Sequence, residues 1–134
     1  MEEKRVFLKL SEPENTYTAT TSYGELPVGE GGQKPMELLL VALAGCNGVD
    51  IAHILRKKRQ KVKDIQIEVV GLRGEEHPRV YQRIEILYRV YGRGIKERAV
   101  EDAVRLSLDK YCSVYAMIKN STEINVSFEV YNEA

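Results

Sequence analysis

The feature that most constrains this chain is the stretch from Pro35 to Arg59, apolar around most of its circumference. Pro35 suits the first turn of a helix, where its missing N–H costs nothing, and Glu37 sets negative charge near the positive end. The far end is basic (Arg56, Lys57, Lys58, Arg59), which complements a helix C-terminus and reaches into water. Before Arg56, only Glu37, Asn47, Asp50 and His53 carry ionisable or amide groups. A helix apolar on nearly every side belongs in the middle of a structure rather than on one face of it. Its longest apolar run, Leu38 to Cys46, falls short of the about 20 residues that cross a bilayer, so a core helix is expected.

Around this helix the chain reads as strands and a second helical region. Val6, Leu8 and Leu10 alternate with Phe7 and Lys9, and Thr16 to Thr21 is rich in strand formers. Tyr23-Gly24 offers a turn, and Gly29 to Lys34 a flexible connection. That connection lacks the Gly-Lys-Ser/Thr ending of a phosphate-binding loop, so an ordinary loop is expected. Ile65, Ile67 and Val69 form one face of a strand. Val80, Ile84, Ile86, Tyr88 and Val90 share a face of the next, and Gly71 to Pro78 between them predicts an antiparallel pair. Within Ile95 to Leu108, the residues Ala99, Val100, Ala103, Val104 and Leu108 share a helical face. Ser107 and Asp109 are each candidate caps of a further helical segment through Lys119. Ile124, Val126, Phe128 and Val130 make a closing strand. The order predicts a single α+β domain over residues 1–134.

Acidic and basic residues balance at 20 each, so the formal net charge is zero and no global field favours nucleic acid. The basic cluster Arg56 to Lys61 is short. No cationic start leads into an apolar signal stretch, so a cytoplasmic address is expected, with no membrane partner. Thiols there are normally kept reduced, which leaves Cys46 and Cys112 as buried inert thiols or as a reactive pair.

Cys46 lies mid-helix between Ala44-Gly45 and Asn47-Gly48. Each glycine costs about 1 kcal/mol relative to alanine there, so tight packing or close approach of a ligand must compensate. At about 100° per residue, Asp50, His53 and Lys57 fall on the stripe of Cys46. Cys46 and His53 stand about 10 Å apart along the axis, too far to share one zinc ion, and no metal is expected. Asp50 opposes thiolate formation unless a cation neutralises it, so its expected partner is a buried Arg or Lys, or a cap. His53 is assigned no catalytic role. If Asp109 caps Lys110 to Lys119, Cys112 stands in the first turn, where amides and the helix dipole favour the thiolate. If instead the helix runs unbroken from 95 to 119, Cys112 is buried and inert. Both readings stand.

Pro35-Met36-Glu37-Leu38-Leu39-Leu40 running to Ala44-Gly45-Cys46, then Asp50 and Ile54-Leu55, resembles the first signature of the OsmC/Ohr family. Asp109-Lys110-Tyr111-Cys112-Ser113-Val114 resembles the second, in the form of the YhfA-like branch. Arg73, Pro78 and the strand Val80 to Gly92 fit that branch as well. The resemblance implies an antiparallel sheet wrapped around two central helices, in an intertwined homodimer with active sites at the subunit interface. It also implies a thiol peroxidase without cofactor: Cys46 attacks an organic hydroperoxide, Cys112 resolves the sulfenic acid, and an external dithiol reduces the disulfide. The family's peroxidases carry a glutamate directly after the proline and an arginine from the N-terminal region. Here Met36 follows Pro35, and Glu37 stands nine positions before Cys46, about 180° around the helix. The only arginine before residue 56 is Arg5. Arg73 and Arg83 are then the candidates to supply the cation, with Asp50 and Glu37 as further residues of the thiol environment. The alternative is a non-catalytic dimer that binds a small apolar or thiol-reactive ligand at the subunit interface.

Overall fold

Every residue from Met1 to Ala134 is described by the structure, a computed structural model, and the chain divides into two compact units, Met1–Leu39 and Leu40–Ala134. In the first, β1 (Phe7–Leu10), β2 (Thr16–Thr20) and β3 (Glu25–Gly29) form an antiparallel meander. The first two strands and the Tyr23-Gly24 turn lie where the sequence pattern puts them. β3 is not among the strands expected from the sequence; it is an edge strand, where a proline such as Pro27 is tolerated. Only Thr16 and Ala19 of these strands are buried, and Phe7, Leu8 and Leu10 remain exposed.

The long helix α1 (Pro35–Lys57) begins at its proline and ends in Arg56-Lys57, close to the expected bounds. By length and composition alone it is apolar enough to cross a membrane. Leu43, Asn47, Ile51 and Leu55, four residues apart, are buried along one stripe. Val41 and Val49 on the opposite stripe are 63% and 72% exposed. The expected burial on all sides is therefore not met within one chain, because a single sheet covers only one face.

That sheet runs β4 (Lys61–Arg73), β5 (Tyr81–Arg93), β6 (Glu123–Asn132), with β5 central. β4 and β5 are the predicted antiparallel pair, whereas β6 joins β5 in parallel, so the sheet is mixed. Parallel neighbours need a crossover. Here it consists of α2 (Glu97–Leu106), a π-helical turn (Ser107–Tyr111) and α3 (Ser113–Ile118). Two irregularities in the β4–β5 ladder leave Lys63 and Gln82 without a partner. An extra residue reverses the alternation beyond it. Past Gln82 the inner position falls to Tyr81, which is buried, while Val80, expected on that face, is exposed. The Tyr81 ring covers Gly71, where a Cβ would run into it. Ile84, Ile86, Tyr88 and Val90 of β5 form the centre of the core with Leu43, Ile51 and Leu55 of α1 and Val100 and Ala103 of α2.

Candidate active site

Three elements meet beneath β5. α1 turns Asn47 into the core, with Cys46 and Asp50 half-buried beside it. Gly48 lets the helix come close to β4, since a Cβ there would stand 3.1 Å from Ile67 Cδ1. No atom approaches within 4 Å of a Cβ built on Gly45. The third element is the end of α2, where the helix widens. The Cys112 N–H reaches back five residues to the Ser107 carbonyl at 2.7 Å, closing the π turn. Cys112 then leaves in an extended conformation (φ −77°, ψ 103°) and caps α3, its Sγ accepting from Tyr115 N at 3.3 Å.

A chain of buried hydrogen bonds ties these elements together. Tyr88 OH donates to Asn47 Oδ1 at 2.6 Å, and Asn47 Nδ2 donates to Ser107 Oγ at 3.2 Å. Ser107 Oγ in turn donates to Asp50 Oδ2 at 2.8 Å. No buried side-chain nitrogen or oxygen lacks a partner. Both cysteines are free thiols. Cys112, only 2% exposed, lies near enough to Cys46 for the two thiols to influence each other. Burial pushes the Cys112 thiol up to about 11, and the neighbouring Cys46 thiol adds to the shift. The Tyr115 amide pulls it back, while the charges of Cys46 and Asp50 raise it further. Burial likewise raises the Tyr88 phenol well above its ordinary value, with Cys112 and Tyr115 adding to it.

The family model described as OsmC-like protein matches residues 28–127, a span that holds both cysteines and all three elements of the site. The chain belongs to the OsmC-like family. Protein YhfA of Escherichia coli (strain K12) is 41% identical over 102 residues, 76% of either chain. A hypothetical protein from Aquifex aeolicus VF5 is 52% identical, and its crystal structure superposes with a TM-score of 0.96 over 100% of both chains. The organic hydroperoxide resistance protein OhrB of Bacillus subtilis is 12% identical and covers 96% of this chain and 98% of its own, with a TM-score of 0.64. At that identity the likeness is one of fold.

In this OsmC-like chain the fold brings together Cys46, Cys112 and Asp50 of the residues singled out from sequence. Two expectations need correction. Cys112 is neither third in a helix capped by Asp109 nor inside an unbroken helix: the π turn ends at Tyr111 and Cys112 is itself the cap. Its thiol pKa is raised rather than lowered, because burial outweighs the one amide it accepts from. Asp50 is a paired carboxylate, one of its two expected readings, and its partner is the Ser107 hydroxyl, not the buried cation of the other. Glu37 stands in the first turn of α1. Arg73 ends β4, and its Nε donates to the Arg79 carbonyl at 2.8 Å. Arg83 lies on the outer face of the sheet, 3.2 Å from Glu85. His53 is exposed. No group of three His, Cys, Asp or Glu side chains is placed so that it could hold a metal ion. Asn47, Ser107 and Tyr88 escaped the reading of the sequence. Asn47 left one signal, an amide at the four-residue spacing of Leu43, Ile51 and Leu55.

Proposed function

We propose that this OsmC-like protein is a thiol-dependent peroxidase that reduces organic hydroperoxides through a Cys46 sulfenic acid resolved by Cys112. The observation that carries this reading is that two free thiols are held at one site, where Ser107 bonds the Cys112 N–H through its carbonyl and the Asn47 and Asp50 side chains beside Cys46 through its hydroxyl. Cys46 is half-buried and open to a substrate, whereas Cys112 is sealed behind it. Membership of a family whose folds include an organic hydroperoxide resistance protein supports peroxide chemistry of this kind.

The steps balance. The Cys46 thiolate attacks one oxygen of ROOH, the O–O bond breaks, and the alkoxide takes a proton to leave as ROH. Cys46 is left as the sulfenic acid. The Cys112 sulfur attacks the Cys46 sulfur, and the sulfenic hydroxyl departs as water with the proton that Cys112 brought. With its pKa near 11, Cys112 carries that proton at neutral pH. An external dithiol then returns two electrons and two protons to the disulfide. A second copy of the chain, covering the open stripe of Val41, Gly45 and Val49, completes the site in a homodimer.

Mixing the protein with cumene hydroperoxide and dihydrolipoamide tests the reading. Wild type consumes peroxide, Cys46→Ser does not, and Cys112→Ser accumulates a sulfenic acid that dimedone traps. Equally slow consumption by wild type and Cys46→Ser overturns it. One observation favours a second reading: the groups that set the Cys112 pKa include no cation. It supports a non-catalytic dimer that holds a small apolar or thiol-reactive ligand at the subunit interface. In that case peroxide leaves no dimedone adduct, and the ligand protects Cys46 from alkylation.

A further inference from the structure

We propose that Ser107 is the positioning residue of the thiol pair, holding the Cys112 backbone at the distance where its sulfur meets Cys46. The inference rests on the thiol-pair reading above and adds a residue to it. The grip on Cys112 is through the main chain, since the Ser107 carbonyl accepts the Cys112 N–H at 2.7 Å across the π turn. A wide turn of this kind is rare and appears mostly as a single turn within a helix, frequently at functional sites. Here it is held by side-chain bonds of Ser107. Its hydroxyl proton is committed to Asp50 Oδ2 at 2.8 Å, and its oxygen accepts Asn47 Nδ2 at 3.2 Å.

Both partners belong to α1 and follow Cys46, Asn47 directly and Asp50 one turn on. Ser107 therefore binds the backbone of one cysteine while its side chain is clasped by the neighbours of the other. The orientation of the clasp is fixed in turn from β5, because Tyr88 OH donates to Asn47 Oδ1 at 2.6 Å and so turns the amide nitrogen toward Ser107. Ser107 and Asn47 are wholly buried, so no water stands ready to replace a lost bond. Removing the Ser107 hydroxyl lets the π turn relax toward a regular helix and swings Cys112 away from Cys46. Small displacements of this kind are enough to slow a reaction between held groups by about a hundredfold.

The test separates the geometry of the pair from peroxide chemistry. Diamide, a general thiol oxidant, closes a Cys46–Cys112 disulfide wherever the sulfurs meet, and cumene hydroperoxide reports the enzyme activity. In Ser107→Ala, diamide closure is expected to slow at least about tenfold, with the rate of Cys46 alkylation by iodoacetamide unchanged within twofold. One equivalent of peroxide should then shift the product from disulfide toward sulfenic acid trapped by dimedone. A general loss of structure would move alkylation as well. Tyr88→Phe keeps Ser107 but frees the Asn47 amide, and is expected to slow closure by an intermediate factor. If Ser107→Ala does not fold, Tyr88→Phe decides, with closure at the wild-type rate overturning the inference. Folded Ser107→Ala that closes as fast as wild type also overturns it, as does wild type that forms no disulfide with diamide. Diamide closure that depends on Ser107 in a protein inert to peroxide upholds the positioning role and sinks the peroxidase reading.

Discussion

Replacing Asn47 with alanine exposes how much stability the buried polar chain holds. The substitution removes two hydrogen bonds, one of 2.6 Å from Tyr88 and one of 3.2 Å to Ser107. Each is worth about 1 kcal/mol net. Ser107 keeps Asp50 as a partner, but the Tyr88 hydroxyl, on a fully buried residue, loses its acceptor. An orphaned buried donor costs about 1–3 kcal/mol more, so Asn47→Ala should lose about 3–5 kcal/mol in all. That is a large share of the about 5–15 kcal/mol that stabilises a typical domain. Tyr88→Phe removes the donor instead, leaves one amide oxygen unpaired, and should cost about 1–2 kcal/mol. In the double variant no orphan hydroxyl remains, so its loss should fall short of the sum of the singles by about 1–2 kcal/mol. Urea unfolding followed by circular dichroism, with reductant present and protein concentration held constant, measures all four proteins. A loss below about 0.5 kcal/mol in Asn47→Ala, or singles that add, would refute the reasoning.

Three further outcomes are expected. An unfolded cysteine titrates near about 8.5, while folded Cys112 is held up at about 11. The stability this represents is fully present below pH of about 8.5 and drains away as pH rises to about 11, amounting to about 3 kcal/mol. Wild type should lose that much more than Cys112→Ser in unfolding curves between those pH values, and parallel losses contradict the assignment. Gly71→Ala drives a Cβ into the Tyr81 ring and should cost about 1–3 kcal/mol, read as a lower urea midpoint. A neutral result denies the close packing there. Gly45→Leu meets open space within the chain, so the protomer should fold while sedimentation shows loss of the dimer. An unchanged sedimentation coefficient argues against a second copy on that face.

Periodicity revealed the elements that repeat without interruption. α1 was legible because Pro35 and the Arg56-Lys57 end mark its bounds, and the inner face of β5 from Ile84 to Val90 keeps strict alternation. What escaped is local and geometric. The unpaired Gln82 moves Tyr81 inward and Val80 outward, and a count of period two has no means of placing it. β3 hides behind Pro27 and Gly29, which a central strand would exclude and an edge strand admits. At the site, the two cysteines were legible from their motifs, but the environment of Cys112 depends on five residues of π helix that no spacing announces. The identity of the Asp50 partner depends on the same turn. Ser107 comes within reach only when the end of α2 widens, and from sequence it looked like a helix cap.

The parallel pairing of β5 with β6 also governs when the couple can form during synthesis. β4 and β5 close as a local hairpin, while β6 must return across the whole crossover that carries Cys112. Contacts so distant in sequence are rewarded only after their loop has been closed, which delays them. A nascent chain thus holds Cys46 on its helix before Cys112 has a seat to occupy. The seat of Cys112 is completed with the last ten-residue strand, so trimming that strand should unseat Cys112 while leaving both sulfurs in the chain.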